Sequence, residues 1–180
     1  PMPTATDSDA VVPARPNLTT LDDFNRSNAN NLNTGAPSGV AWSQANGDLR
    51  VNNNQASASD SGQAIWNGTR ASGPTFGTTQ AASLRMANST TTNDCVILKA
   101  TGGTANSPSS YLRACYQTTG GGRVRISTTT NGGSSFTNRG DLVLNLGSGD
   151  TLTVKASANG TVEAWKTNGD GTTYAGSLVI

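Results

Sequence analysis

The stretch NDCVILKATGGTANSPSSYLRACYQTTGGGRVRISTTT, residues 93–130, decides the fold. Two glycine- and serine-rich turns separate three runs in which apolar and polar residues alternate. Val96, Leu98 and Ala100 share one face of the first run, Leu112, Ala114 and Tyr116 one face of the second, and Val124 and Ile126 one face of the third. A period of two is the signature of half-buried strands. Connections this short force neighbouring strands to run antiparallel. The stretch is read as a three-stranded meander with its apolar side on a core.

Closing the first hairpin symmetrically about Ala105 sets Cys95 opposite Cys115, Ile97 opposite Arg113 and Lys99 opposite Tyr111. Directly opposed residues have Cβ atoms roughly 4.5–5.5 Å apart, within reach of a disulfide after modest adjustment. Cys95 and Cys115 are the two cysteines of the chain. They are read as a bridge, with two reduced thiols as the alternative. Folding the next hairpin about Gly120 brings Arg125 beside Cys115. The outward face is then expected to carry Lys99, Tyr111, Arg113, Arg123 and Arg125.

The same alternation runs outward in both directions. Leu21 and Phe24 are expected to anchor a first strand over 18–24. Asn46-Gly47 is expected to join two short strands as a hairpin, with Trp42, Leu49 and Val51 in the core. Further strands are read at 63–68, 79–87, 141–146, 150–158 and 161–167, and YAGSLVI (174–180) closes the chain. Leu84, Met86, Leu152, Val154, Ala156, Val162 and Ala164 point inward, which sends Glu163 and Trp165 to the opposite face. No long segment has a 3.6-residue apolar period. About twelve short strands separated by frequent turns predict an all-β antiparallel β-sandwich of the jelly-roll kind.

Ahead of this domain (18–180), residues 1–17 carry Pro1, Pro3, Pro13 and Pro16. Proline at this density forbids a helix and favours extended backbone. The segment is read as an arm or linker, either a loose tail or an arm docked on a neighbouring subunit. It shows no basic segment followed by an apolar stretch, so no secretory leader is visible.

Composition narrows function. Only 13% of the 180 residues are charged and the net charge is +1, too neutral for a general nucleic-acid binder. No apolar run is long enough for a membrane-spanning helix. The chain has no histidine, which removes Ser-His and Cys-His nucleophile pairs. Its single glutamate, Glu163, leaves no paired glutamates for glycoside hydrolysis. A non-catalytic role is therefore expected. Calcium is weakly signalled by Asp22, Asp23 and Asn25 and by the loop Asn168-Gly169-Asp170-Gly171, since that cation takes about six to eight oxygen ligands. Turn chemistry is the favoured account of both. Trp165 and Glu163 are the candidates for a sugar platform, extended by Tyr111 and Arg113. The competing and favoured account packs Trp165 and Tyr111 beneath a loop or at a subunit contact.

The order of segments is also familiar. DDFNR (22–26), Trp42-Ser43, Leu49-Arg50-Val51, ILKATG (97–102) with YLRACY (111–116), and GDTLTVKASANGTVEAWKTNG (149–169) together resemble the concanavalin A-like lectin/glucanase superfamily, closest to its LamG-like jelly rolls. The likeness spans roughly 18–180 and rests on order and spacing. It implies two antiparallel sheets packed face to face. Such domains occur in secreted bacterial proteins and in tail and surface proteins of actinobacterial phages. The chain departs from the group in ending at Ile180, where members add a closing strand. The expectation is that strand 18–24 is left with an open edge, covered by the arm 1–17, by another copy or by further sequence. The functional expectation is a structural, decoration or adhesion component of an extracellular assembly such as a phage virion or tail, touching other subunits through the arm or edge and in some cases host surface polysaccharide. The alternative is a carbohydrate-binding module of a secreted bacterial protein.

Overall fold

A computed structural model of the chain describes residues 11–37, 42–45, 49–58, 62–66, 77–88, 93–104 and 107–180. Among them lie twelve strands and one short 3-10 turn, Thr119–Gly121, and every strand pairing is antiparallel. Two four-stranded sheets form the body. The first contains β5 (Gln80–Arg85), β10 (Thr151–Ala156), β11 (Thr161–Asn168) and β12 (Gly171–Val179), in the order β12-β11-β10-β5. The second runs in sequence order through β6 (Cys95–Thr101), β7 (Ser110–Gln117), β8 (Arg123–Thr129) and β9 (Thr137–Val143). Two smaller pairs stand beside them: β1 (Trp42–Ala45) with β4 (Gln63–Trp66), and β2 (Leu49–Asn52) with β3 (Gln55–Ala58).

The period-two pattern places the core. Leu152, Val154, Ala156, Val162 and Ala164 on the first sheet meet Val96, Leu98, Leu112, Ala114, Tyr116, Val124 and Ile126 on the second in one buried cluster. Burying a Val, Leu or Ile side chain stabilises by about 1.5–3 kcal/mol, so these alternating rows dominate the cohesion of the two layers. Leu142, Leu144 and Leu146 continue the cluster, although the strand starts earlier than expected, at Thr137, and ends at Val143. The expected meander of three strands is thereby one of four.

Tyr116 carries a phenol into this apolar layer, and its oxygen is satisfied by Leu146 and, at 3.4 Å, by Asn145 Oδ1. The Leu146 amide donates to it at 3.2 Å, and the hydroxyl donates to the Leu146 carbonyl at 3.2 Å. Gly122 makes room for that arrangement. Its φ is +93°, and a Cβ there would lie 3.0 Å from the Tyr116 hydroxyl and 2.8 Å from Asn145 Cα.

Three expectations are corrected. Residues 18–24 form no strand. Phe24 takes a left-handed φ of 55° and its amide donates to Asp22 Oδ1 at 2.9 Å, a local side-chain turn that replaces sheet pairing. The open edge inferred for that strand therefore has no strand to belong to. Asn46-Gly47 lies outside the described residues, but its flanking strands do not pair with each other: β1 pairs with β4 and β2 with β3. The hairpin turn is Asn53-Asn54, with φ of 51° and 59°, the double left-handed geometry that matches strand twist. Leu49 and Trp42 are half-buried, whereas Val51 is fully buried. Finally, Lys99 does not face Tyr111. The register holds for Cys95–Cys115 and Ile97–Arg113, then slips between Leu98 and Thr101, so that Thr101 faces Ser110. Lys99 sits in that bulge at φ 58°. Its ammonium leaves the outward face for the carbonyls of Thr78 and Ser157, and its amide donates to Gln80 Oε1 at 2.7 Å. The bulge thus ties the edge of β6 to the edge of β5.

Candidate functional site

Alternation along β11 sends Glu163 and Trp165 to the outer side of the first sheet, away from Val162 and Ala164. Strand register then aligns Ser83, Thr153, Trp165 and Tyr174 in a row across β5, β10, β11 and β12. The row has the chemistry of a sugar platform, with two aromatic rings whose centroids are 5.5 Å apart and three hydroxyls, and the Glu163 carboxylate lies on the same face in the neighbouring row. It is not open. Pro13 and Arg15 of the arm lie against it: Trp165 Nε1 donates to the Pro13 carbonyl at 3.0 Å, and Arg15 donates to Thr153 Oγ1 at 3.4 Å. Trp165 is 1% exposed and Glu163 6%. The Glu163 carboxylate holds Lys155 Nζ at 2.9 Å. The packed account of Trp165 applies, and the covering segment is the chain's own arm. The described part of that arm docks in cis.

Tyr111 and Arg113 project from the outer side of the second sheet, so the four sugar-platform candidates are split between two faces. They pack around Phe136, a residue the sequence reading passed over. The Arg113 guanidinium carbon lies 3.3 Å from the centroid of the Phe136 ring, and Tyr111 meets that ring edge-on at 5.9 Å. Tyr111 donates to Gln63 Oε1 at 3.2 Å, which joins β4 to the large sheet. Burial raises the Tyr111 pKa above its ordinary value against the opposing effect of the Arg113 charge. A lone phenylalanine in a Gly- and Ser-rich loop carries no periodicity, so nothing in the sequence marked it.

Beside this cluster Cys95 and Cys115 form a disulfide, S–S 2.03 Å, between residues in direct register. Arg125 is next in the row, as expected, and grips Asp141 with two hydrogen bonds of 3.0 and 3.2 Å. Those bonds, with the nearby charges of Arg125 and Arg123, hold the Asp141 carboxyl below its ordinary range.

The oxygens considered for calcium are engaged in turns and an ion pair. The buried Asp22 carboxylate accepts from Arg26 at 2.6 and 3.2 Å, from Trp42 Nε1 at 2.9 Å and from the Phe24 amide. Burial acts to raise its pKa, and these donors outweigh burial, so the group lies below its ordinary value. Asp23 accepts from the Asn25 amide at 2.9 Å, and Asn168 Oδ1 from the Asp170 amide at 3.0 Å. Among the described residues no three His, Cys, Asp or Glu side chains gather as a metal site.

At one end of the sandwich the two sheets part around a cleft of about 290 Å³. Leu112, Ala156 and Val162 line its depth, and Ser110, Thr129 and Ser157 supply hydroxyls. Lys99 also lines the cleft, with its ammonium bonded to the Ser157 carbonyl, and the arrangement can hold a small polar molecule. No described helix is long and apolar enough to cross a membrane. Comparison with protein-family models, with curated proteins and with solved structures finds no match to this chain.

Proposed function

We propose that the chain is a non-catalytic structural module of an extracellular assembly, a decoration or adhesion domain of the kind found on phage virions and tails, with the jelly-roll connectivity its resemblance to concanavalin A-like domains implies. The observation that carries this reading is how the reactive-looking side chains are used. Trp165 lies under the arm, Tyr111 and Arg113 enclose Phe136, and Glu163, Asp141 and Asp150 are each held by a basic partner. A disulfide across neighbouring strands of a layered sheet suits a domain that must persist outside a reducing cytoplasm. In this reading the sandwich is a stable knob and attachment is left to its edges and to the residues preceding Val11.

A second reading, a carbohydrate-binding module of a secreted bacterial protein, is favoured by the hydroxyl-lined cleft at the end of the sandwich. Two measurements separate them. The solution mass and a glycan array on the whole chain should give a discrete multimer and no saturable sugar binding if the role is structural. A monomer that binds a defined glycan through the cleft, with binding lost on Thr129→Val, would replace the structural reading with the second.

A further inference from the structure

The Asn-rich segment and the β2–β3 hairpin enclose another concavity, about 290 Å³ in volume, lined by Asn28, Ala29, Asn30, Arg50, Val51 and Asn52. Its frame is held firmly. Ala29 and Val51 exchange two backbone hydrogen bonds of 3.0 Å, and the Asn53 amide donates to Asn28 Oδ1 at 2.8 Å. Val51, at 1% exposed, anchors the floor.

Among the described residues, Arg50 is the one charged residue in this lining. Arg26 is paired with Asp22, Arg123 and Arg125 with Asp141, Lys155 with Glu163, and Lys166 with Asp150. Arg50 has no such carboxylate among the described residues, and its buried Nε has no hydrogen-bond acceptor. A buried polar atom without a partner is uncommon in a folded protein and asks for an explanation. Arg113 Nε shares that lack, but its guanidinium is stacked on the Phe136 ring, whereas Arg50 borders a polar hollow.

We propose that this concavity binds the carboxylate of an acidic sugar, a uronate unit of a polysaccharide. The planar guanidinium presents donors in a fork that matches the two oxygens of a carboxylate. The amides of Asn28, Asn30 and Asn52 each offer donors and an acceptor, which a carboxylate alone does not use and ring hydroxyls do. The volume stands at the lower end of small-molecule sites, about 300–1,000 Å³, and suits one ring. Among the described residues no aromatic side chain lines the hollow, so recognition is polar and orientation rests on Arg50. The site goes beyond the structural role and does not depend on it.

The test is an amide-shift titration of the whole 15N-labelled chain with trigalacturonate, with a neutral trisaccharide and with glutarate, repeated on Arg50→Gln and Arg50→Lys. Expected are saturable shifts at Asn28, Asn30 and residues 50–52 with trigalacturonate, weakened about tenfold or more by Arg50→Gln and less by Arg50→Lys. The neutral sugar and glutarate should each bind about tenfold more weakly than trigalacturonate. Absence of saturable shifts, or shifts unchanged in Arg50→Gln, would overturn the proposal. Glutarate binding as well as trigalacturonate would overturn it too, because the ring would then contribute nothing and an acidic protein side chain would be the better ligand. Should Arg50→Gln fail to fold, wild-type binding in rising salt decides: weakening supports the site, and insensitivity sinks it.

Discussion

Trp165 and Pro13 are 152 positions apart, and the indole Nε1 of one donates to the carbonyl of the other at 3.0 Å. That bond, with the contact of Arg15 on Thr153, turns a proline-rich arm into a strap over the first sheet. A single net hydrogen bond is worth roughly 0.5–1.5 kcal/mol, and loss of a buried tryptophan side chain about 3–5 kcal/mol. Trp165→Phe should therefore cost little in urea unfolding and Trp165→Ala several times more. Removing residues 1–17 should leave Trp165 newly accessible to acrylamide quenching. Unchanged quenching would show that the strap does not cover the indole in solution.

Asp22 is the hub of the N-terminal segment. Its carboxylate gathers Arg26, Trp42 and the Phe24 amide, and Arg26 in turn donates to the carbonyls of Leu32 and Thr34. Breaking a buried ion pair by removing one partner costs about 3–5 kcal/mol. Asp22→Ala should lower stability by that order in chemical unfolding, whereas substitution of the exposed Asp170 should be nearly neutral.

The direction of the pH dependence follows from the carboxylates. Asp22, Asp141 and Asp150 all lie below the ordinary value of 3.8 in the folded chain. For Asp150 the largest cause is the hydrogen bond with Lys166, which outweighs the opposing effect of burial. A carboxyl depressed on folding contributes stability that is fully present above its unfolded pKa and lost as pH falls through the folded one. Thermal midpoints should thus hold steady above about pH 5 and drop below about pH 4. Asp22→Asn should flatten that drop.

Cys95 and Cys115 close a loop with a sequence separation of 20. Bridges of this span contribute about 3 kcal/mol, in good part by restricting the unfolded chain. Reduction, or the double substitution to serine, should lower stability by that order and leave the circular dichroism of a β protein in place. The register of β6 on β7 is set independently by Val96, Leu98, Leu112 and Ala114 in the core.

Gly122→Ala should be among the more damaging single-methyl changes in the chain. Its φ of +93° is unfavourable for any L side chain, and the added carbon meets Asn145 Cα and the Leu144 carbonyl inside 3.0 Å. Backbone strain of this type costs roughly 1–3 kcal/mol before any clash is counted. Gly169→Ala, where an added carbon meets nothing within 4 Å, is the matched control for differential scanning calorimetry.

Much of the second sheet was legible because its causes are local. Short turns bring β6, β7, β8 and β9 together in chain order, and alternation assigns their inner faces. The pairing of Cys95 with Cys115 and Arg125 beside them needed only residue counting from the turns. Counting failed at Lys99, since a bulge is a decision about one residue's backbone that no periodicity records. It failed again over residues 18–24, where Asp22 and Asp23 bond nearby backbone amides and take the segment out of the sheet.

The amino-acid order by itself determined an all-β layered body, because every second residue along each strand must leave water and only paired sheets allow it. Tertiary structure alone decided what became of the polar and aromatic residues on the outer faces. Trp165 lost its access to solvent to Pro13, Arg113 found Phe136, and Arg50 came to border a polar hollow with no carboxylate beside it among the described residues. Those outcomes depend on segments far apart in sequence coming to one place, and a local pattern carries no record of what will cover it.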